Sequence, residues 1–283
     1  MRATIIFVVQ YARASTAHLD SRSPTTLGIV NGDGVANAST YPFVAAQYTG
    51  ADPQAGQFCG GSLIAPTWIL TAAHCLYNTR EQQLAVKIAL HRRDLSSSEA
   101  DEQGIHVGLR DYHTHPQYAV NSWLFDVALL ELDSPVKGID PVALDDGTLA
   151  VQGMPSDVLG WGSKDVACTQ YDPLLRAGSV WVASNSDCAT AAGGKGPDFN
   201  QSLLVCAGRP TNSSKRGWVE TGCGDSGGPL IVRSSAGRHH SQIGIVSWGY
   251  GGTYDVYMRV AGHREWILGM IRASSPPAAA SAE

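Results

Sequence analysis

Gly224-Asp225-Ser226-Gly227-Gly228-Pro229-Leu230 is the most informative stretch of the chain. A serine between glycines suits a nucleophile. A tight turn exposes its oxygen, and backbone N–H groups unobstructed by side chains can converge on a developing oxyanion. Alone, such a run reads better as a plain glycine-rich turn. Two further stretches change that reading: Thr71-Ala72-Ala73-His74-Cys75 and Phe125-Asp126-Val127-Ala128-Leu129-Leu130. An isolated histidine is usually structural, and an aspartate ahead of an apolar strand is usually a cap. Histidine, aspartate and serine in that order, on three separate elements, form instead a constellation for nucleophilic catalysis.

Outward from these motifs, short apolar runs end in turn residues every ten residues or so: Phe43–Tyr48, Ser62–Ala65 with Trp68–Thr71, Val127–Leu132, Val158–Trp161, Ser179–Val182, Pro229–Val232 and Ile243–Trp248. Such spacing predicts an all-β protein. One helix is expected, from Val260 to about Ile271, with Val260, Trp266, Ile267 and Met270 on its apolar face. The Ala/Ser/Pro-rich residues 272–283 are expected to form a disordered tail. The turn-rich stretch 134–155 separates two strand-rich halves. The serine motif also fits an α/β-hydrolase esterase, with Asp255 and His263 following in the order that fold uses. That fold requires strands and helices alternating around the serine, and no such alternation is visible.

Composition agrees with a packed, turn-rich domain. Of 283 residues, 43% are hydrophobic and 16% charged, against about 25% charged in an average soluble domain. Gly and Pro number 31 and 14, above average usage, as many short strands joined by turns require. The net charge of −5 and the lack of a basic block argue against nucleic acid or an anionic membrane as partner. Arg2, the apolar stretch Thr4–Val9 with Tyr11, and Ala12-Arg13-Ala14 read as a secretory signal too short to span a bilayer, so residues 1–28 are expected to be signal peptide and propeptide. Six cysteines, none paired in Cys-x-x-Cys, suggest disulfides in an oxidising, extracellular compartment.

With these motifs stand Ile29-Val30-Asn31-Gly32, Cys59-Gly60-Gly61-Ser62-Leu63-Ile64, Gly160-Trp161-Gly162, Val205-Cys206-Ala207-Gly208, Ser247-Trp248-Gly249 and Val256-Tyr257. Over about 29–271 the sequence resembles the trypsin/chymotrypsin family of serine endopeptidases. The resemblance implies two antiparallel six-stranded β-barrels packed face to face, with the active site between them and a C-terminal helix. It makes His74 the general base, Asp126 its orienting partner and Ser226 the nucleophile. The N–H groups of Gly224 and Ser226 would form the oxyanion hole. Ser247 would hold the triad aspartate, and Trp248 and Gly249 would pair with an extended protein or peptide substrate. A catalytically silent binding or inhibitory homologue is the competing reading, and the complete triad favours the enzyme.

By the same resemblance, cleavage between Gly28 and Ile29 would free an α-amine to pair with Asp225. Gly28 is not the usual Arg or Lys, so a separate activating protease is a further expected partner. Counting from Ser226 and along the Trp248 segment, Glu220 falls at the base of the primary specificity pocket and Asp255 at a second pocket position. Two carboxylates there favour an Arg or Lys side chain; a one-residue shift beside Cys223 would put Thr221 at the base. The resemblance pairs Cys59 with Cys75 and Cys188 with Cys206. Cys168 and Cys223 remain and are expected to join, because the usual partner after Ser247-Trp248-Gly249 is missing. No cofactor is expected and the chain should be a monomer. In the family's calcium-loop region, 91–103, Glu99, Asp101 and Glu102 could supply oxygens, although Arg92 and Arg93 crowd the place of the first ligand. Asn37, Asn200 and Asn212 begin glycosylation acceptor triplets.

Overall fold

The computed structural model describes residues 29–76, 80–98, 104–120, 124–165, 167–191, 199–208, 219–234, 239–249 and 254–274. The leader 1–28, the acidic residues Glu99, Asp101 and Glu102, the Asn212 triplet and residues 275–283 lie outside them.

The main strands form two closed, six-stranded antiparallel barrels. The first runs Val44–Tyr48, Gln57–Ala65, Trp68–Thr71, Ala128–Leu132, Ile105–Thr114 and Lys87–Leu90, and closes where Ala45 pairs with Leu90. The second runs Pro155–Gly160, Arg176–Val182, Leu204–Gly208, Tyr254–Arg259, His240–Trp248 and Pro229–Arg233, and closes where Leu230 pairs with Val158. Strand character follows from residue type and periodicity. In Arg176–Val182 the buried positions are every second residue, the period of a pleat with one face inward. In Val44–Tyr48 every residue is buried, so no alternation is visible.

The halves are not contiguous in sequence. Asp33–Gly34 pairs with Arg176 and Ala177 of the second barrel, Val30 bridges Glu220, and Ile29 lies wholly buried in the second barrel's core. The described residues therefore begin on the second barrel and only then enter the first. The C-terminal helix also exceeds the expected Val260–Ile271. It continues to Ser274, so residues 272–274 are helix, not tail. Ala and Arg favour helix, so Arg272 and Ala273 continue its last turn. Its buried face carries Val260, His263 and Ile267, with Trp266 and Met270 partly buried against the same cluster. Short helices Pro53–Gly56, Arg80–Leu84 and Asn185–Ala191 add to it; each is too brief to show a helical period.

Candidate active site

His74 lies on a single 3-10 turn directly after the strand Trp68–Thr71, and Asp126 lies just before Ala128–Leu132. Those strands are neighbours, and the pairing of Thr71 with Ala128 brings the two side chains together. The buried Asp126 carboxyl accepts the His74 N–H on Oδ1 at 2.8 Å and meets His74 Nδ1 with Oδ2 at 2.7 Å. Ser247 Oγ, from the second barrel, donates to the same Oδ2 at 2.5 Å. A carboxylate can only accept, so Nδ1 carries the proton and Nε2 is left as a base facing outward. Phe125 holds φ +57, a strained value for a bulky residue, in the turn that presents Asp126.

The serine turn is clamped by backbone bonds to both barrels. Gly60 N–H donates to Ser226 O at 2.7 Å, Gly227 N–H to Val246 O at 2.8 Å, and Gly228 N–H to Asp225 O at 2.9 Å. Gly227 has φ +79, and a Cβ there would fall 2.1 Å from Thr71 Oγ1. Gly224 has φ +95. Ser163 N–H donates to Cys223 O at 2.8 Å. In a trans peptide the N–H points opposite to the C=O, so that bond turns the Gly224 N–H the other way. The bond from Gly228 N–H to Asp225 O does the same for the Ser226 N–H. Neither N–H reaches an acceptor among the described residues, which leaves two converging donors. Gln57 Nε2 fixes the far side of the turn by donating to Gly224 O at 2.8 Å. The Ser163 and Gln57 clamps have no motif to announce them and were missed in the sequence.

Asp225 is wholly buried and accepts N–H groups from Gly162 at 2.8 Å and Gly222 at 2.9 Å. Burial pushes its carboxyl up to about 7, the two amides offsetting only part of that. No cation among the described residues offsets it. Ile29, the residue expected to supply one, has its side chain against Gly178 and Val219, and Val30 beside it bridges Glu220 on the segment that carries Asp225.

The specificity candidates form a second cluster. Glu220 and Asp255 are both buried and each feels the other's charge. Thr221 donates its N–H to Asp255 Oδ2 at 2.7 Å, and its side chain also acts on that carboxyl. Asp255 Oδ1 has no partner among the described residues, nor has the hydroxyl of wholly buried Tyr257 two positions on. Burial, with Glu220 and Asp225 nearby, raises the Asp255 carboxyl to about 7. A Cβ on Gly249 would lie 2.3 Å from Asp255 Oδ1, so the room left by that glycine is taken up by this carboxyl. Trp248 is half-buried at the end of its strand beside it.

Three disulfides join Cys59 to Cys75, Cys168 to Cys223 and Cys188 to Cys206. The second ties the loop after Gly162 to the residue before Gly224. That loop is knotted by Asp165, which accepts from Ser163 Oγ at 2.7 Å and from the N–H groups of Thr169 and Gln170 at 2.9 Å. In the region read as a cation loop, Arg92 is buried, and its guanidinium donates to the carbonyls of Asp94, Leu95 and Ser97 at 2.9–3.0 Å. The esterase alternative fails on geometry as well as architecture: His263 is buried on the C-terminal helix among His115, Phe125 and Trp266, while Asp255 sits with Glu220.

The family model described as Trypsin matches residues 29–267. The chain belongs to the trypsin family. It is 34% identical over 253 residues to "Trypsin" of Saccharopolyspora erythraea, covering 87% of this chain and all of that protein. "Coagulation factor XII" of Cavia porcellus is 32% identical over 260 residues, 86% of this chain but 40% of that protein's length. Among solved structures, "Structure of Vibrio cholerae VesB protease" superposes with a TM-score of 0.69 at 30% identity, covering 86% of this chain and 67% of the other. The chain is thus a serine endopeptidase, and its substrates are proteins.

Proposed function

We propose that the chain is a secreted endopeptidase, made as a precursor, that cleaves after Arg or Lys through a covalent acyl-enzyme. The observation that carries the catalytic assignment is the run of hydrogen bonds from Ser247 through Asp126 to His74 beside the clamped Ser226 turn. In this reading His74 Nε2 takes the Ser226 hydroxyl proton as the oxygen attacks the scissile carbonyl. Asp126, held by Ser247 and the His74 N–H, keeps the imidazole oriented and stabilises its cationic form. The carbonyl oxygen, now negative, lies against the N–H groups of Gly224 and Ser226; losing one such donor typically costs ~10²–10³ in turnover. His74 then protonates the leaving amine, and water repeats the sequence on the acyl-enzyme.

Cleavage after basic residues is supported by the buried carboxyls of Glu220 and Asp255, because a cation is the natural complement of two such groups. Secretion is supported by the three disulfides, which persist in oxidising compartments. Activation is read as a cut before Ile29 whose new α-amine pairs with Asp225, so activity should fall at alkaline pH as an amine of reference pKa near ~8, held up by the ion pair, loses its proton. A substrate library tests the specificity: Arg and Lys should dominate before the scissile bond, and a preference for Ala, Val or Phe would refute the reading. Active material that retains Gly28 on mass spectrometry would refute the activation step.

A further inference from the structure

The specificity cluster holds one acidic group more than a single cationic side chain requires, and the two acids are not equivalent. Glu220 lies on the segment that leads into the serine turn, where its backbone bridges Val30. Asp255 lies on the strand Tyr254–Arg259, with one oxygen held by the Thr221 N–H and the other unpartnered among the described residues beside Gly249. Gly249 follows the Trp248 strand along which substrate is read to lie, and the unpartnered oxygen packs directly against that glycine.

The groups around Asp255 are of one sign. Glu220 and Asp225 face it from the segment before Ser226, and the Tyr257 hydroxyl shares its surroundings from the same strand; no Lys or Arg acts on it among the described residues. Once the Ile29 amine pairs with Asp225, Glu220 remains as the neighbouring acid; a carboxylate buried beside it is costly, whereas a protonated carboxyl there is not. A substrate ammonium or guanidinium reverses that balance, since the opposite charge favours the ionised form.

We propose that Asp255 is a proton-linked selector for the residue before the scissile bond: it keeps its proton while the pocket is empty or holds an uncharged side chain, and releases that proton to solvent when a cationic side chain enters. The inference rests on the basic-residue reading given above. It makes selectivity, and not only rate, depend on pH. Below neutrality, entry of Arg or Lys must first expel the proton; above it, the pocket already awaits a cation. Burial holds the Asp255 carboxyl near neutrality, which sets where the change falls.

The test is the ratio of kcat/KM for two peptides identical except for Arg or Ala before the scissile bond, measured across pH. Titration of His74 and of the Ile29 amine affects both peptides and cancels in the ratio. For the wild type the ratio should rise about tenfold between about pH 6 and pH 8, as for one group titrating near 7. Asp255→Asn should flatten it. Glu220→Gln, which removes a like charge but leaves Asp255, should move the rise to lower pH, and it carries the test alone if Asp255→Asn fails to fold. A preference for Arg whose ratio stays flat with pH would overturn the proton-linked role while leaving the basic-residue reading intact. No preference for Arg at any pH would overturn both, and a rise unmoved by Glu220→Gln would overturn the assignment to Asp255.

Discussion

Around the active site, the first barrel buries neutral polar groups hydrogen-bonded to one another, and the second buries three acids close together. In the first, Gln47 Nε2 donates to Gly60 O and Thr71 Oγ1 at 2.7 Å, and Thr71 Oγ1 to Gly60 O at 2.9 Å, bracing the strands that lead to His74. In the second, Glu220, Asp225 and Asp255 are buried with no cation acting on the latter two. The second barrel can place a cation beside a buried acid, as Arg233 does for Asp157 at 2.6 Å, so its absence near the serine turn is local. The base is set beside strands braced by neutral hydrogen bonds. Asp225 and Asp255 meet no cation among the described residues, as a pocket and an activation switch that await a charge would in the reading proposed above.

The severest way to break this division is to remove a group from either side. Ser226→Ala and His74→Ala come from different barrels, yet each should lower turnover by ~10⁶, with the double variant barely worse than either. Strictly additive losses in steady-state kinetics would mean the barrels do not act as one unit.

The next test concerns the tether on the second side. Converting Cys168 and Cys223 to Ser should cost ~2–4 kcal/mol in unfolding measurements. It should also lower kcat/KM, because Cys223 O orients the Gly224 N–H through Ser163. Lost stability with unchanged kinetics would show that the Ser163 clamp alone fixes the oxyanion loop.

Between the barrels, the C-terminal helix carries His263, buried behind Asp126 and lowered to about 4 by burial, with His115 adding to the shift. The unfolded chain takes up a proton near the ordinary value of 6.5 and the folded one does not. Stability is therefore unaffected by this group above about pH 6.5 and falls as pH drops toward 4, by about 3 kcal/mol in all. His263→Leu should flatten that acid limb in denaturant titrations at successive pH values; an unchanged limb would place the sensitivity elsewhere.

The smallest expected effect is none. The Arg92 guanidinium occupies the carbonyls of Asp94, Leu95 and Ser97 as a bound cation would, so EDTA should leave the thermal midpoint and activity unchanged. A midpoint lowered by EDTA and restored by calcium would contradict this.

What the sequence disclosed were groups whose chemistry is fixed by immediate neighbours. Ser226 between glycines, His74 before Cys75 and Asp126 before an apolar strand are each legible within a few residues. The two-barrel architecture followed from the family resemblance, and the apolar runs located several of the strands. Other strands left no pattern: Ile105–Thr114 is half-exposed along most of its length and shows no clean alternation. The Ser163 and Gln57 clamps act through backbone atoms or a single amide brought from far along the chain, so residue type says nothing of them. His263 sits at a helical position that polarity would assign to solvent; its burial follows from packing among His115, Phe125 and Trp266. Arg92 and Arg93 are legible in the sequence as charges near the expected cation loop, but the bonds from the Arg92 guanidinium to the carbonyls of Asp94, Leu95 and Ser97 are visible only in the fold.

The central claim is that Ser226, drawn from the second barrel, is activated by a base held in the first. Reaction with a fluorophosphonate, followed by peptide mass spectrometry, tests it most directly. The account predicts a stoichiometric adduct on the peptide carrying Ser226 in the wild type, lost in His74→Ala although that variant is folded and keeps its serine. An adduct on another residue, or undiminished labelling of Ser226 without His74, would contradict it.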